Sequence, residues 1–260
     1  MRRISGLFLL AATSVFAFGC NEEKKPTPSK AVASVAPPPA PSVPSSPPKE
    51  EPKRAPRPKK NPADCPKVTT VTFPNADFEG AVRLKVQKKD GNIMLADLLK
   101  LRSLNISQSK LSELDVCLFP HMKELRELFI GPGDVDDLSG IAGLTKLESL
   151  RLSLNPIRDL QPLSGMTKLD RLDLAHTEVR DLTPLKTLTS LTELLLDDTP
   201  VEDVTPLASL EKLTVLVLKN TRVKDVKSLK ALKALKTLDL RGAPVDDSTM
   251  LARPGLRIDE

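Results

Sequence analysis

Residues 147–168 read LESLRLSLNPIRDLQPLSGMTK, and residues 169–190 read LDRLDLAHTEVRDLTPLKTLTS. The two segments share most of their leucines at the same positions, and the same interval of 22 residues continues at Leu191, Leu213 and Leu235. Self-similarity at a fixed period of this length is typical of stacked structural repeats, in which each unit packs only against its neighbours. The sequence therefore predicts a repeat protein.

The repeat pattern is L-x-x-L-x-L-x-x-[NT]-x-[IV]-x-D-[LV]-x-P-L, which is clearest at Leu147, Leu150, Leu152, Asn155, Ile157, Asp159, Leu160, Pro162 and Leu163. It resembles the leucine-rich repeat, specifically the 22-residue units of the internalin-like bacterial subfamily. Every second residue of the L-x-L segment is apolar, as in a half-buried strand, and stacking such strands about 4.8 Å apart buries the leucines in one core. We expect an α/β leucine-rich repeat solenoid of about seven to eight strands. Its parallel sheet would be concave, with short 3₁₀ or helical segments on the convex side.

A column of aspartates repeats in the same register, at Asp137, Asp159, Asp181, Asp203, Asp225 and Asp247. An Asp just after the buried Ile or Val can accept backbone N–H bonds at the turn. The pairs Thr183-Pro184 and Thr205-Pro206 are typical of a helix N-cap followed by proline at the first helical position. A row of metal-binding or catalytic carboxylates is the less favoured interpretation, because a column that repeats with the fold usually serves the fold.

The asparagine position of the pattern is mostly replaced, since Asn155 is followed by Thr177, Thr199, Thr221 and Ala243. A threonine hydroxyl can satisfy one neighbouring backbone group, whereas alanine offers no side-chain partner. We therefore expect the ladder of repeats to weaken towards the C-terminus.

Residues 1–19 have the features of a secretory signal, with Arg2 and Arg3 ahead of a short, mainly apolar run from Ile4 to Phe18. The segment that ends in Gly19-Cys20 resembles a bacterial lipobox, which implies cleavage before Cys20 and lipidation of that cysteine. Simple secretion with a spare cysteine is the alternative. Residue 21 is Asn, not the Asp of the inner-membrane retention signal, so the resemblance implies a lipid anchor in the outer membrane of a Gram-negative envelope.

Residues 20–62 are predicted to form a disordered or polyproline tether, because 13 prolines fall between residues 21 and 62 and few large apolar residues accompany them. The tether carries nine basic and four acidic residues, a net charge of +5, and Arg2 and Arg3 add +2. The total charge of +5 therefore leaves −2 for residues 63–260. With no Trp or Tyr to stack on bases, the chain is not expected to bind nucleic acid. The basic cluster at 49–60 would either contact cell-wall polymer and lipid head groups or simply keep the tether soluble.

Residues 63–100 lack the repeat register and resemble the small helical cap ahead of many bacterial repeat arrays, with the repeats following at 101–260. Such a cap covers leucines that the first unit would otherwise expose. Cys65 and Cys117 are an even pair in an exported chain, which favours a disulfide between the cap and the first repeat. The alternative is that Cys117 is a buried, unpaired hydrophobic residue.

The sequence contains no nucleophile–base arrangement, phosphate-binding glycine loop or metal-spaced cluster, and neither His121 nor His176 has a ligand partner nearby in the chain. We therefore predict a non-enzyme without metal or cofactor. Because the leucines form the core, recognition falls to the residues between them on the concave sheet. Leu195, Val215 and Val217 form an apolar centre there, and charged residues surround it. The predicted partner-binding residues are Arg151, Arg171, Asp173, Glu193, Leu195, Asp197, Val215, Val217, Lys219, Asp239 and Arg241.

Two functions remain open at this stage. The first is a lipid-anchored envelope protein whose concave face binds a protein or peptide. The second is a structural envelope spacer whose basic tether engages cell-wall polymer while the repeats only space or self-associate. The resemblance itself implies a fold and a mode of contact, not a target.

Overall fold

The protein is described by a computed structural model covering residues 61–66 and 69–260. The predicted signal segment, Cys20 and residues 21–60 of the tether lie outside the described residues. Within the described ranges, every helix is too short or too polar to cross a lipid bilayer.

One sheet of eight parallel strands, in chain order, runs through the repeats. The leucine of each strand pairs with the leucine of the next, from Leu128 to Leu238, with Leu104 and Ile258 at the two ends. Leu150, Leu172, Leu194 and Leu216 are at most 1% exposed, which confirms that the periodic leucines form the core. The strands are β1 Ser103–Ile106, β2 Glu127–Ile130, β3 Ser149–Arg151, β4 Arg171–Asp173, β5 Glu193–Leu195, β6 Val215–Val217, β7 Thr237–Asp239 and β8 Arg257–Asp259.

Short 3₁₀ helices form the other side of each repeat, so the predicted solenoid of strands and 3₁₀ segments is confirmed. Buried leucines such as Leu163, Leu185, Leu207 and Leu229 anchor them in the core. The 3₁₀ helices of the repeats are Phe119–His121, Ser139–Ile141, Gln161–Leu163, Thr183–Thr187, Thr205–Ser209, Lys227–Ala231 and Thr249–Leu251, and a further one, Pro62–Asp64, precedes the cap.

The aspartate column holds the turns that lead into these 3₁₀ helices. In each of six repeats the aspartate Oδ1 accepts the backbone N–H two residues later, at 2.8–2.9 Å. The predicted turn role is therefore confirmed. The prediction that Thr183 and Thr205 are N-caps is wrong, because each is the first residue of its 3₁₀ helix and its own N–H is held by the preceding aspartate.

The asparagine column lies inside the core. The Asn155 side chain donates to three carbonyls, among them that of Gly131 in the preceding repeat at 3.1 Å, and accepts from the Val135 N–H. The three threonines that replace it each donate one bond, to the carbonyl three residues earlier, at 2.6–2.7 Å. Asn155 therefore links two repeats, whereas each of these threonine bonds closes a turn within its own repeat.

The N-terminal cap consists of α1, Ala76–Val86, and α2, Leu95–Leu98. Helix α1 begins where the Asn75 side chain accepts the Phe78 N–H at 2.8 Å. Phe78 is buried, and its ring lies between Phe73 and Phe119, with centroids 5.5 and 5.7 Å away. The cap thus shares one core with the first repeat, as a solenoid end requires.

A disulfide joins the two halves of this end of the molecule. Cys65 precedes the cap helices and Cys117 lies in the first repeat, and their Cα atoms are 5.3 Å apart. The bond spans 52 residues of sequence. It connects the same two segments that the buried phenylalanines hold together.

Candidate functional site

The open face of the sheet carries the residues on either side of each strand leucine. Strand pairing aligns them in two columns, one running from Ser103 to Arg257 and the other from Asn105 to Asp259. The predicted partner-binding residues lie within β3–β7 of these columns, or in a third column two residues further on, formed by Asp197, Lys219 and Arg241.

The predicted apolar centre lies on β5 and β6. Leu195 pairs directly with Val217, and Val215 pairs with Glu193 on the neighbouring strand. All three aliphatic side chains are half-buried, so part of each remains accessible on the open face. The period of 22 brings them together because each unit adds one strand to the sheet.

A pocket of about 180 Å³ opens beside this centre, over β2–β5. Five predicted partner-binding residues line it, together with the Phe129 ring, which is not among the predicted residues. An aromatic residue in a surface column is the signal that identifies Phe129. The lining residues are Phe129, Ser149, Leu150, Arg151, Arg171, Leu172, Asp173, Glu193 and Leu195.

Charged side chains of the pocket pair with one another. Arg151 Nε lies 2.9 Å from Asp173 Oδ2, and the Arg151 guanidinium is 5.8 Å from the centre of the Phe129 ring. Arg171 Nε lies 4.0 Å from Glu193 Oε2 and 3.6 Å from Asp170 Oδ2. Arg151 is therefore held between an aromatic face and a carboxylate, which orients its donors across the pocket.

A second pair lies at the far end of the predicted face. Arg241 donates to Asp239 through two atoms, Nε to Oδ1 at 2.9 Å and Nη2 to Oδ2 at 2.6 Å. These bonds lower the pKa of Asp239 below its ordinary value, although burial of the carboxylate acts in the opposite direction. Asp239 is only 7% exposed, so we expect it to orient the Arg241 side chain and to make little direct contact with a partner.

One group of side chains was missed at the sequence level. His176 Nε2 lies 3.8 Å from Asp197 Oδ2 and 3.7 Å from Asp198 Oδ2. The prediction found no ligand partner for His176 because it considered only neighbours in the chain. Residue 198 lies one repeat of 22 beyond residue 176, and that interval is the signal that would have found the group.

Solved structures of bacterial repeat proteins match this fold. An internalin (InlF) from Listeria monocytogenes is 26% identical with a TM-score of 0.65, over 72% of this chain and 55% of that chain. Internalin C2 from Listeria monocytogenes is 29% identical with a TM-score of 0.66, over 72% of this chain and 83% of that one. A leucine-rich repeat protein from Leptospira interrogans, at 21% identity and a TM-score of 0.55 over 63% and 50%, shares the fold.

The chain spans about half the length of the InlF and Leptospira interrogans proteins. No protein-family model matches the chain, and a search of curated proteins found no match. The assignment therefore stands on the repeat register, the eight-stranded parallel sheet and the structural matches together. On these grounds the chain has the leucine-rich repeat solenoid fold.

Proposed function

We propose that the chain is a non-catalytic binding module whose concave sheet face contacts a protein or peptide. The observation that carries this proposal is the half-buried apolar centre of Leu195, Val215 and Val217 beside an aromatic-lined pocket. Structural matches to internalins, whose fold commonly mediates protein binding, support it.

The chemistry of the face favours a protein partner. An apolar centre gains free energy when it is removed from water, and charged residues around it give orientation and specificity. The pocket combines a phenylalanine, an aliphatic side chain and two arginines that are paired with carboxylates, which suits an aromatic side chain inserted from a partner. No comparable argument favours catalysis on this face.

The proposal is tested with the double variant Leu195→Asp/Val217→Asp in the full chain. The two charges would lie at the apolar centre, so we expect a partner captured by wild type from the parent cell envelope to be lost. The matched control is Ala231→Asp, which adds a charge to an exposed position on a 3₁₀ helix. Far-UV circular dichroism and the melting temperature check that both variants fold. A captured partner that survives the double variant contradicts the proposal.

The alternative function, a structural spacer that engages cell-wall polymer, depends on the basic cluster at 49–60. Reversing those charges should abolish sedimentation with purified cell wall if the tether carries the interaction, whereas Leu195→Asp/Val217→Asp should leave it unchanged. If wall association follows the tether and capture does not depend on the sheet face, the spacer function replaces the binding function.

We further propose that Cys20 carries a lipid that holds the protein at the cell envelope, in the outer membrane of a Gram-negative cell. The lipobox-like segment before Cys20 supports this anchor. Metabolic labelling with palmitate is expected to mark wild type and to leave Cys20→Ala unlabelled. Equal labelling of the two chains, or none in either, contradicts lipidation at this cysteine.

A further inference from the structure

The turns that follow β4 and β5 bring together one imidazole and two carboxylates. His176 and Asp198 occupy the same position in successive repeats, and Asp197 precedes Asp198 in the chain. The ligand atoms of all three lie within 4.8 Å of one another. From this arrangement we infer that His176, Asp197 and Asp198 form a binding site for a divalent transition metal ion of the Zn²⁺ type. The inference does not depend on the proposed partner.

Two of the three separations, those from the imidazole to the carboxylates, are close to those of a bound metal. Two donors held by one zinc ion at about 2.1 Å in a tetrahedron are roughly 3.4 Å apart. The two distances from His176 Nε2 to carboxylate oxygens, 3.7 and 3.8 Å, exceed that edge by a few tenths of an ångström. They also exceed a hydrogen bond, so the imidazole stands at a ligand-like spacing from both carboxylates. Small side-chain rotations would complete the coordination.

The backbone already fixes the three ligands relative to one another. The His176 N–H donates to the Asp197 carbonyl at 2.8 Å, and the Asp198 N–H donates to the Lys219 carbonyl at 2.9 Å. His176 and Asp198 both adopt φ of 54°, so the two turns have the same shape and present their side chains in parallel. The three side chains therefore extend from two successive repeats whose backbones are hydrogen-bonded to each other.

Asn220, from the next repeat, orients one carboxylate. Its Nδ2 donates to Asp198 Oδ1 at 2.9 Å, while Oδ2 of the same carboxylate faces His176. A hydrogen bond to the oxygen that does not bind metal is the usual way in which a neighbouring residue holds a ligand in place. At intervals of 22 residues the chain thus supplies His176 as one ligand, Asp198 as a second ligand and Asn220 as the residue that orients Asp198.

The donor set selects the class of metal. Imidazole nitrogen with carboxylate oxygen suits Zn²⁺ and its transition-metal neighbours, whereas Ca²⁺ and Mg²⁺ favour sets made of oxygen. A divalent ion also offsets the repulsion between two adjacent aspartates. Three protein ligands leave one tetrahedral position for water or for a partner's side chain.

The test uses the ¹⁵N-labelled full chain titrated with ZnCl₂ and observed through its imidazole nitrogen signals. The chain has two histidines, so His121 is an internal control. We expect the His176 signals to shift and saturate at one equivalent of Zn²⁺, with the His121 signals unmoved. The same concentrations of CaCl₂ and MgCl₂ should leave both rings unaffected. Equal responses of the two histidines, or an equal response to Ca²⁺, overturn the inference.

The variants Asp197→Asn and Asp198→Asn separate a built site from a lone histidine. Each keeps His176 and removes one negative ligand, so each should weaken Zn²⁺ binding at His176 at least tenfold. Asp246→Asn, which makes the same charge change at an exposed position in the last repeats, should bind as wild type does. Zinc taken up elsewhere on the chain would be the same in all these variants and would not shift the His176 ring. Unchanged affinity in the two ligand variants overturns the site.

Discussion

At the scale of single residues, five successive repeats place one residue each in the left-handed backbone region. Their φ values run from 54° to 73°, and the residues are Leu154, His176, Asp198, Asn220 and Gly242. Asn, Asp and Gly tolerate this conformation, whereas a leucine there is strained by roughly 1–2 kcal/mol. Leu154 is also 49% exposed, so its side chain contributes little to the core. The fold thus accepts strain at this position in the third repeat.

We predict that Leu154→Gly raises the free energy of unfolding by about 0.5–1 kcal/mol. Glycine removes the backbone strain, and the larger conformational entropy that glycine loses on folding offsets only part of this gain. Urea denaturation followed by circular dichroism measures the change. The matched control is Leu99→Gly, since Leu99 is similarly exposed but has a φ of −64°. That substitution should destabilise the protein, and destabilisation by both would contradict the strain argument.

A pH dependence follows from the pair of Asp239 and Arg241. The folded pKa of Asp239 is lowered, so its carboxylate contributes stability that is fully present above the ordinary Asp pKa of about 3.9. This contribution is lost as the pH falls through the folded pKa, in the window below about pH 4. Arg241→Met removes the main cause of the shift and should therefore reduce the loss of stability between pH 7 and pH 3.

The measurement compares urea denaturation of wild type and Arg241→Met at both pH values. Arg180→Met, which removes an exposed arginine elsewhere in the repeats, is the control and should lose stability with acid as wild type does. Acid loss of the same size in Arg241→Met and wild type would show that this pair does not supply the dependence.

At the scale of elements, the period of 22 predicts the strands and their pairing, because only one register of the strands keeps the whole row of leucines buried. After the last full unit, the segment Leu256-Arg257-Ile258 predicts a shortened edge strand, and the structure has this strand one residue later, at Arg257–Asp259. The sequence did not show which arginine pairs with which carboxylate, because long side chains on adjacent strands reach several partners. The His176 group was missed for a related reason, since its members come from different repeats.

The cap is the element that a disulfide secures. In the loop-entropy account, a bond across 52 residues stabilises by about 4 kcal/mol at most. In a repeat array, removal of the disulfide should destabilise only the units near it, because each unit contacts only its neighbours. We therefore predict that Cys65→Ser/Cys117→Ser speeds amide hydrogen exchange in α1 and β1 while β5–β7 exchange as in wild type. Equal acceleration in β6 would mean that the array unfolds as one unit.

At the scale of the whole molecule, the two ends of the ladder are closed differently. The first strand lies against a cap whose Phe78 packs into the core of the first repeat, whereas β7 is covered by the three-residue strand β8. Strand β8 accepts the Leu240 N–H at Asp259 and donates the Arg257 N–H to Lys236. The C-terminal end therefore depends on a few backbone bonds and on the buried Leu251.

Deletion of residues 248–260 should leave most of the array folded and leave β7 as an unpaired edge strand. Strand β7 would then present unpaired backbone groups and the exposed flank of Leu238, a combination that favours edge-to-edge association. We expect far-UV circular dichroism close to that of wild type and concentration-dependent self-association in sedimentation velocity. Adding Thr237→Lys to the shortened chain should restore the monomer, because an edge lysine opposes pairing. A shortened chain that stays monomeric would show that β8 does not act as the closing strand, and one that loses its sheet signal would show that its role is not confined to the end of the sheet.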